Sequence, residues 1–118
     1  MTPETFFRSL SDSTRLRCLM LLQWQGELCV CELTQALNLS QPKISRHLAA
    51  LRAAGVVLDR RAGQWVHYRI HPELPPWARQ VLERTAAGVA DEGVYAQDAA
   101  HLRLMKEEAA CAARKPQT

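Results

Sequence analysis

Ser40-Gln41-Pro42-Lys43-Ile44-Ser45-Arg46-His47-Leu48-Ala49-Ala50-Leu51-Arg52 is the stretch from which the fold is read. Ser40 is a natural N-cap, because its hydroxyl can accept from a backbone N–H of the first turn. Pro42 is tolerated two residues later, where a helix has no use for its missing donor. At about 100° per residue, Ile44, Leu48 and Leu51 form one apolar stripe, and Gly55 suits the exit. Lys43 and Arg46 then project away from the stripe. Ala49, Ala50 and Ala53 also point outward, small enough to let the helix sit deep in a groove.

Upstream, Val30, Leu33 and Leu37 fall at i, i+3 and i+7, and Asn38 breaks the pattern. The two helices are therefore joined by a tight turn. Downstream the period changes to two. Val56–Arg61 and Trp65–Ile70 read as strands around Ala62-Gly63-Gln64, with Val66, Tyr68 and Ile70 on one face and Trp65, His67 and Arg69 on the other. Pro72, Pro75 and Pro76 end the sheet and open a helix through Trp77, Val81 and Leu82. A last, Ala-rich helix is expected over residues 94–113.

At the N-terminal side, Thr2 and Pro3 start a short helix bearing Phe6, Phe7 and Leu10. Ser11-Asp12-Ser13 cap a second one bearing Leu16, Leu19, Met20 and Leu22, and Gly26 ends it. The predicted order is α-α-α-α-β-β-α-α: mainly α with a β-hairpin wing, a winged helix-turn-helix. The helix-turn-helix spans about residues 28–54 and the wing 56–70, within a single domain over residues 1–118.

At 118 residues and 47% hydrophobic composition the chain has the material for one real core. No run approaches the roughly 18 apolar residues of a membrane span, and Met1-Thr2-Pro3-Glu4 does not read as a secretory leader. Four cysteines are too sparse for a disulfide scaffold, so a reduced, cytoplasmic protein is expected.

The charge is concentrated. The net is −1 over residues 1–40, +5 over residues 41–71 and −1 over residues 72–118. A confined positive block is what phosphate binding requires. Gln41, Lys43, Ser45, Arg46 and His47 are expected to meet the major groove of DNA. Arg60, Arg61, Gln64 and Arg69 of the hairpin are expected to grip backbone or minor groove. Arg52 reads equally well as a plain surface charge, and Trp65 reads as packing rather than base stacking.

Cys29-Val30-Cys31 stands at the start of the third helix, beside this reading head. Two thiols so close suit a soft, thiophilic ion of low coordination number. In a regular helix, residues i and i+2 project about 200° apart, so gripping one ion requires local unwinding. With Val30 taking the core direction, both cysteines are expected near the surface. Cys18, among leucines, reads as packing. Cys111 reads as a free thiol, with a role as an extra ligand as the other reading. Asp98 and His101, three apart on the last helix, read as surface residues rather than a metal pair.

Glu27-Leu-Cys-Val-Cys-Glu-Leu33, Ser40-Gln-Pro-Lys-Ile-Ser-Arg-His-Leu48, Gly63-Gln-Trp-Val-His-Tyr-Arg69 and Leu10-Ser-Asp-Ser-Thr-Arg-Leu16 resemble the ArsR/SmtB family of winged-helix repressors, its arsenical-resistance members in particular. The likeness runs from about Phe6 to Trp77, and Cys-Val-Cys is its specific part. The resemblance implies a homodimer formed through the first and last helices and bound to an imperfect palindrome of double-stranded operator DNA. It implies a metalloregulatory repressor with Cys29 and Cys31 as ligands, released by trivalent arsenic (arsenite or methylarsenite) or antimonite. No required cofactor, membrane or protein substrate is implied. The chain departs from the founding pattern at Thr34, where those members carry a third cysteine.

Two other inputs fit a winged-helix repressor with this pair: Cd(II), Pb(II) or Zn(II), and thiol oxidation. A catalytic reading finds no support. None of Trp24, Gln35, Leu37 and Gln117, six beyond the four cysteines, is the arginine of a thiol-phosphatase loop, and there is no Gly-rich phosphate loop. A constitutive DNA-binding structural protein would share the basic block but have no use for the cysteine pair.

Overall fold

The computed structural model describes the backbone of residues 1–114 and the side chains of residues 1–109. The elements are α1 (Pro3–Leu10), α2 (Ser13–Gln25), β1 (Glu27–Cys29), α3 (Val30–Leu37), α4 (Gln41–Ala53), β2 (Val57–Ala62), β3 (Trp65–Ile70), α5 (Pro76–Val89) and α6 (Gly93–Arg114). The winged helix-turn-helix is present as expected: α3 and α4 joined by a short turn, with β2 and β3 as the wing.

The caps follow the sequence. Thr5 N–H donates to Thr2 Oγ1 at 3.1 Å, Arg15 N–H to Asp12 Oδ1 at 3.1 Å, and Lys43 N–H to Ser40 Oγ at 3.4 Å. Asn38 sits in the left-handed region at φ 55° and turns the chain between α3 and α4. A two-residue link, Gly63-Gln64, closes the hairpin, and Gly63 has the positive φ such turns demand.

One element was not foreseen. β1 pairs antiparallel with β3, Glu27 against Arg69, Leu28 against Tyr68 and Cys29 against His67, so the sheet order is β1-β3-β2. The element order is α-α-β-α-α-β-β-α-α. Three residues are too few to display a period of two; the strand exists because β3 offers it an unpaired backbone edge.

The core gathers Phe6 of α1, Leu19, Met20 and Leu22 of α2, Leu33 and Leu37 of α3, Ile44, Leu48 and Leu51 of α4, and Leu82 of α5, all buried. Cys18 is fully buried among them, as its leucine neighbours suggested. Leu28 and Tyr68 seal the inner face of the sheet. Truncating any of the large aliphatic residues to Ala is expected to cost about 2–5 kcal/mol.

α6 runs antiparallel along α3. Asp98 forms a bidentate pair with Arg17 of α2, at 2.8 Å on each oxygen, and the same guanidinium donates to the Leu37 carbonyl at 2.9 Å. His101 Nδ1 lies 3.2 Å from the Ala36 carbonyl. The expectation of a solvated Asp98 is therefore corrected: the carboxylate is 2% exposed and engaged by Arg17, a pair that the 81-residue separation hid. Among the described residues, no helix is long and apolar enough to cross a membrane.

Candidate DNA interface and thiol pair

The angular reading of α4 holds in three dimensions. Ile44, Leu48 and Leu51 are buried, while Arg46, Ala49, Ala50 and Ala53 are exposed. About 60–100° round the helix from that stripe, Gln41 and Ser45 look toward the wing. They line a cleft of about 280 Å³ together with Arg61, Gln64, Trp65 and Cys31. One hollow thus joins four of the expected DNA contacts to one of the two expected thiol ligands. Trp65, read from sequence as packing, is 48% exposed at this cleft, because the hairpin carries its tip away from the core.

The other expected contacts divide. Lys43 and Arg46 stand on the outer face of α4. His47 turns back toward the start of α2, its Nδ1 3.9 Å from Asp12 Oδ1 with only 13% of its side chain exposed. Arg60 and Arg69 share the sheet face with His67, opposite to Arg61, because side chains alternate along a strand.

Ion pairing thins the positive block. Arg60 makes a two-pronged contact with Glu27 on β1, its Nε donating to Oε1 at 3.1 Å and Oε2 at 3.2 Å and its Nη2 donating to Oε1 at 2.6 Å. This guanidinium holds the Glu27 carboxyl below its usual range. His67 lies 3.8 Å from the same carboxylate. Arg52 pairs with Asp59 at 3.1 Å. Among the described residues, Lys43, Arg46, Arg61 and Arg69 have no carboxylate within ion-pair distance. These four carry the uncompensated charge of the block.

The thiol pair is built differently from the expectation. Cys29 is the last residue of β1 and the N-cap of α3, with extended backbone (φ −83°, ψ 164°). Cys31 is in the first turn. The two sulfurs therefore do not belong to one regular helix, and the 200° separation expected for that case does not apply. Nor are both at the surface: Cys29 is buried at 9% exposure and Cys31 is exposed. Strand pairing opposite His67 tucks Cys29 in, while Val30 is only half-buried. Burial pushes the Cys29 thiol above its ordinary value.

The surroundings of Cys29 were not anticipated. Its side chain accepts from the Glu32 N–H, and its own N–H donates to Glu32 Oε1 at 3.0 Å, so Cys29 and Glu32 form a reciprocal capping box. The Ser/Thr-x-x-Glu spacing that announces such a box is present in the sequence, with cysteine in the hydroxyl position. Burial works against the Glu32 charge, yet Lys106 of α6 and the Cys29 N–H outweigh it and keep the carboxyl below its usual range.

Thr34, in the place of the founding members' third cysteine, donates its hydroxyl to the Val30 carbonyl at 2.8 Å. Cys111 lies outside the residues whose side chains are described. Among the described residues no group of three or more His, Cys, Asp and Glu is arranged to hold a metal ion. Two thiols two residues apart are chemistry that suits a soft ion content with few ligands better than a hard cation.

Comparison with known proteins gives one direction. Residues 12–58 match the family described as "Bacterial regulatory protein, arsR family". Over 91 residues the chain is 58% identical to the arsenic resistance transcriptional regulator ArsR1 of Pseudomonas putida, covering 77% of this chain and 68% of that protein. Over 83 residues it is 53% identical to the arsenical resistance operon repressor of Escherichia coli, covering 70% and 71% respectively. Among solved structures it is similar to a homodimeric winged helix-turn-helix DNA-binding domain of a possible ArsR-family transcriptional regulator from Mycobacterium bovis. That likeness has TM-score 0.62 and 31% identity, and covers 75% of this chain and 78% of the other.

Proposed function

This chain belongs to the ArsR family of bacterial regulatory proteins, which are transcriptional regulators and not enzymes, and from that premise we propose that it is an arsenic-responsive repressor. It binds operator DNA as a homodimer, with α1 and α6 in the dimer contact, and lets go when trivalent arsenic takes Cys29 and Cys31. α4 enters the major groove with Gln41, Lys43, Ser45 and Arg46. Arg61 and Gln64 hold the backbone from the wing. Arg69 adds charge on its far side, where Arg60 is held by Glu27, and His47 acts as a support for α4 rather than as a reader. The relatives' names supply the effector class; the chain's own residues supply the way it would be held.

The observation that carries the reading is the shared cleft. Cys31 lines the same hollow as Gln41, Ser45, Arg61 and Gln64. A group fixed on Cys31 therefore stands beside the surface offered to DNA, and its partner Cys29 caps the helix that supports α4. Two thiols replace two hydroxides of an arsenic(III) centre, releasing two waters. Methylarsenite offers just two such positions, and arsenite or antimonite would keep a third open.

The test is fluorescence anisotropy of the reduced chain on a labelled palindromic duplex taken from upstream of its own coding sequence. Release at a small excess of arsenite or methylarsenite over dimer is the expected result. A complex that forms but ignores trivalent arsenic, and dissociates with cadmium or with peroxide reversed by reductant, would move the sensor to one of those inputs. Failure of the reduced chain to bind the duplex would overturn the assignment of the reading head.

A further inference from the structure

α6 grips α3 at three levels. Asp98 acts through Arg17 on the Leu37 carbonyl, His101 meets the Ala36 carbonyl, and Lys106 meets the Glu32 carboxylate. The first two hold the C-terminal end of α3 through its main chain. They involve nothing that the thiols touch. The third is different in kind, because Glu32 uses its other oxygen, Oε1, to accept from the Cys29 N–H, and its own N–H donates to the Cys29 sulfur.

We propose that Glu32 is the positioning residue that passes the state of the thiol pair to α6, with Lys106 as the receiving end. The proposal rests on the reading of Cys29 and Cys31 as the sensor and adds the route by which α6, placed in the dimer contact, registers it. The geometry gives the reason. Cys29 sits outside the helix and buried, whereas Cys31 is inside its first turn and exposed. One ligand shared by both sulfurs spans the N-cap, from the strand end to the first turn, and binds the same sulfur that accepts from the Glu32 N–H. The Cys29 sulfur then gives up the Glu32 N–H, and the capping box opens. As the N-cap shifts, the Cys29 N–H moves off Glu32 Oε1 as well, so the carboxylate that bridged cap and ammonium loses one of its two anchors, and the grip of α6 on the thiol end of α3 changes while the grip on the other end stays.

This arrangement makes Lys106 a remote element of the response. Its side chain is 42% exposed, belongs to a different helix from the thiols and pairs with Glu32 rather than with either sulfur, so removing its charge takes away no contact of Cys29 or Cys31. A purely local mechanism, confined to α3 and α4, predicts no role for it.

The experiment uses the full chain with Lys106→Met, Lys106→Arg and Glu32→Gln. Arsenite uptake is read by the near-ultraviolet absorbance of As–S bonds, amide hydrogen exchange is read along residues 98–109, and release is read from labelled operator. Lys106→Met is expected to take up arsenite with the same stoichiometry and to bind DNA without arsenite within about threefold of the parent. Its arsenite-induced loss of DNA affinity is expected to fall by about fivefold or more, within the range of ordinary coupling between sites. Lys106→Arg keeps the charge and should keep the response. Glu32→Gln should behave like Lys106→Met. In the parent chain, arsenite should speed exchange along residues 98–109, and in Lys106→Met it should not.

Parent-like release by Lys106→Met would overturn the relay, as would unchanged exchange along α6 in the arsenite-loaded parent. If the parent takes up arsenite and α6 responds but DNA is kept, the sensor reading fails while the relay stands. If arsenite is not taken up at all, both fall together.

Discussion

α4 and the Cys29–Cys31 pair meet at one cleft through Gln41, Ser45 and Cys31, yet they are built on opposite terms. On α4 a single regular helix sorts its side chains by angle, buried stripe on one side and charge on the other, and each residue keeps the role its position dictates. At the thiol pair the backbone changes state between two residues that are only two apart. One sulfur belongs to a strand end and is buried, the other to a helix and is exposed. A surface made by periodicity is robust and always present. A pair made at a junction is asymmetric, and one ligand held by both members would tie the strand end to the first turn of the helix.

The widest gap expected from that asymmetry is in thiol reactivity. Iodoacetamide should reach Cys31 first and Cys29 more slowly. Cys18, whose thiol burial pushes up to about 12, should remain unmodified until denaturant is added. Peptide mapping should find Cys18 slower than Cys31 by on the order of a thousandfold or more. The Cys29 rate should keep climbing with pH beyond the ordinary thiol range, because its raised value delays formation of the thiolate. Equal rates for Cys29 and Cys31 would mean that the two thiols are equally accessible and that the pair is not asymmetric.

Next in size is the loss of the response itself. Cys31→Ser replaces an exposed residue, so DNA binding without arsenite should stay within about threefold of the parent. Release by arsenite, expected to reach up to about a hundredfold in affinity, should vanish. A Cys29→Ser/Cys31→Ser chain that still lets go of DNA on adding arsenite would show that the sensor lies elsewhere.

On the reading side, Arg46→Ala should weaken operator binding by about ten- to a hundredfold and shrink the salt slope by about one, with thermal stability little changed. An unaltered affinity and slope would mean that another element reads the groove. The smallest contrast is within the wing. Arg61→Ala should cost about three- to tenfold, whereas Arg60→Ala should cost about twofold or less, since its guanidinium is committed to Glu27. The reverse order would show that the Glu27 pair opens when DNA binds.

How much of this was legible follows from the range of the interactions. The stripe of Ile44, Leu48 and Leu51, the Ser40 cap, the Asn38 turn and the Gly63 hairpin each depend on neighbours within a few residues, and all stand where the local pattern put them. β1 was missed because three residues hold no periodicity and its partner lies about forty residues downstream. Asp98 was misplaced for the same reason, its charge being balanced by a guanidinium on α2. In the candidate site, the residue types on α4 and the wing were readable from charge and spacing. Their division into a cleft-facing set with Gln41, Ser45, Arg61 and Gln64, and an opposite set with Arg60 and Arg69, was not. That division depends on which face of the hairpin meets α4.

Helix angle and strand alternation are properties of consecutive residues, so the helices, the wing and a close thiol pair beside a basic helix were already written in the order of the amino acids. That Cys29 ends a strand and caps a helix, that Glu32 links it to Lys106, and that Cys31 shares a hollow with Gln41, Ser45, Arg61 and Gln64 came with the folded arrangement alone. Those facts come from backbone edges and charges meeting across tens of residues, where burial and pairing rather than local pattern select the arrangement.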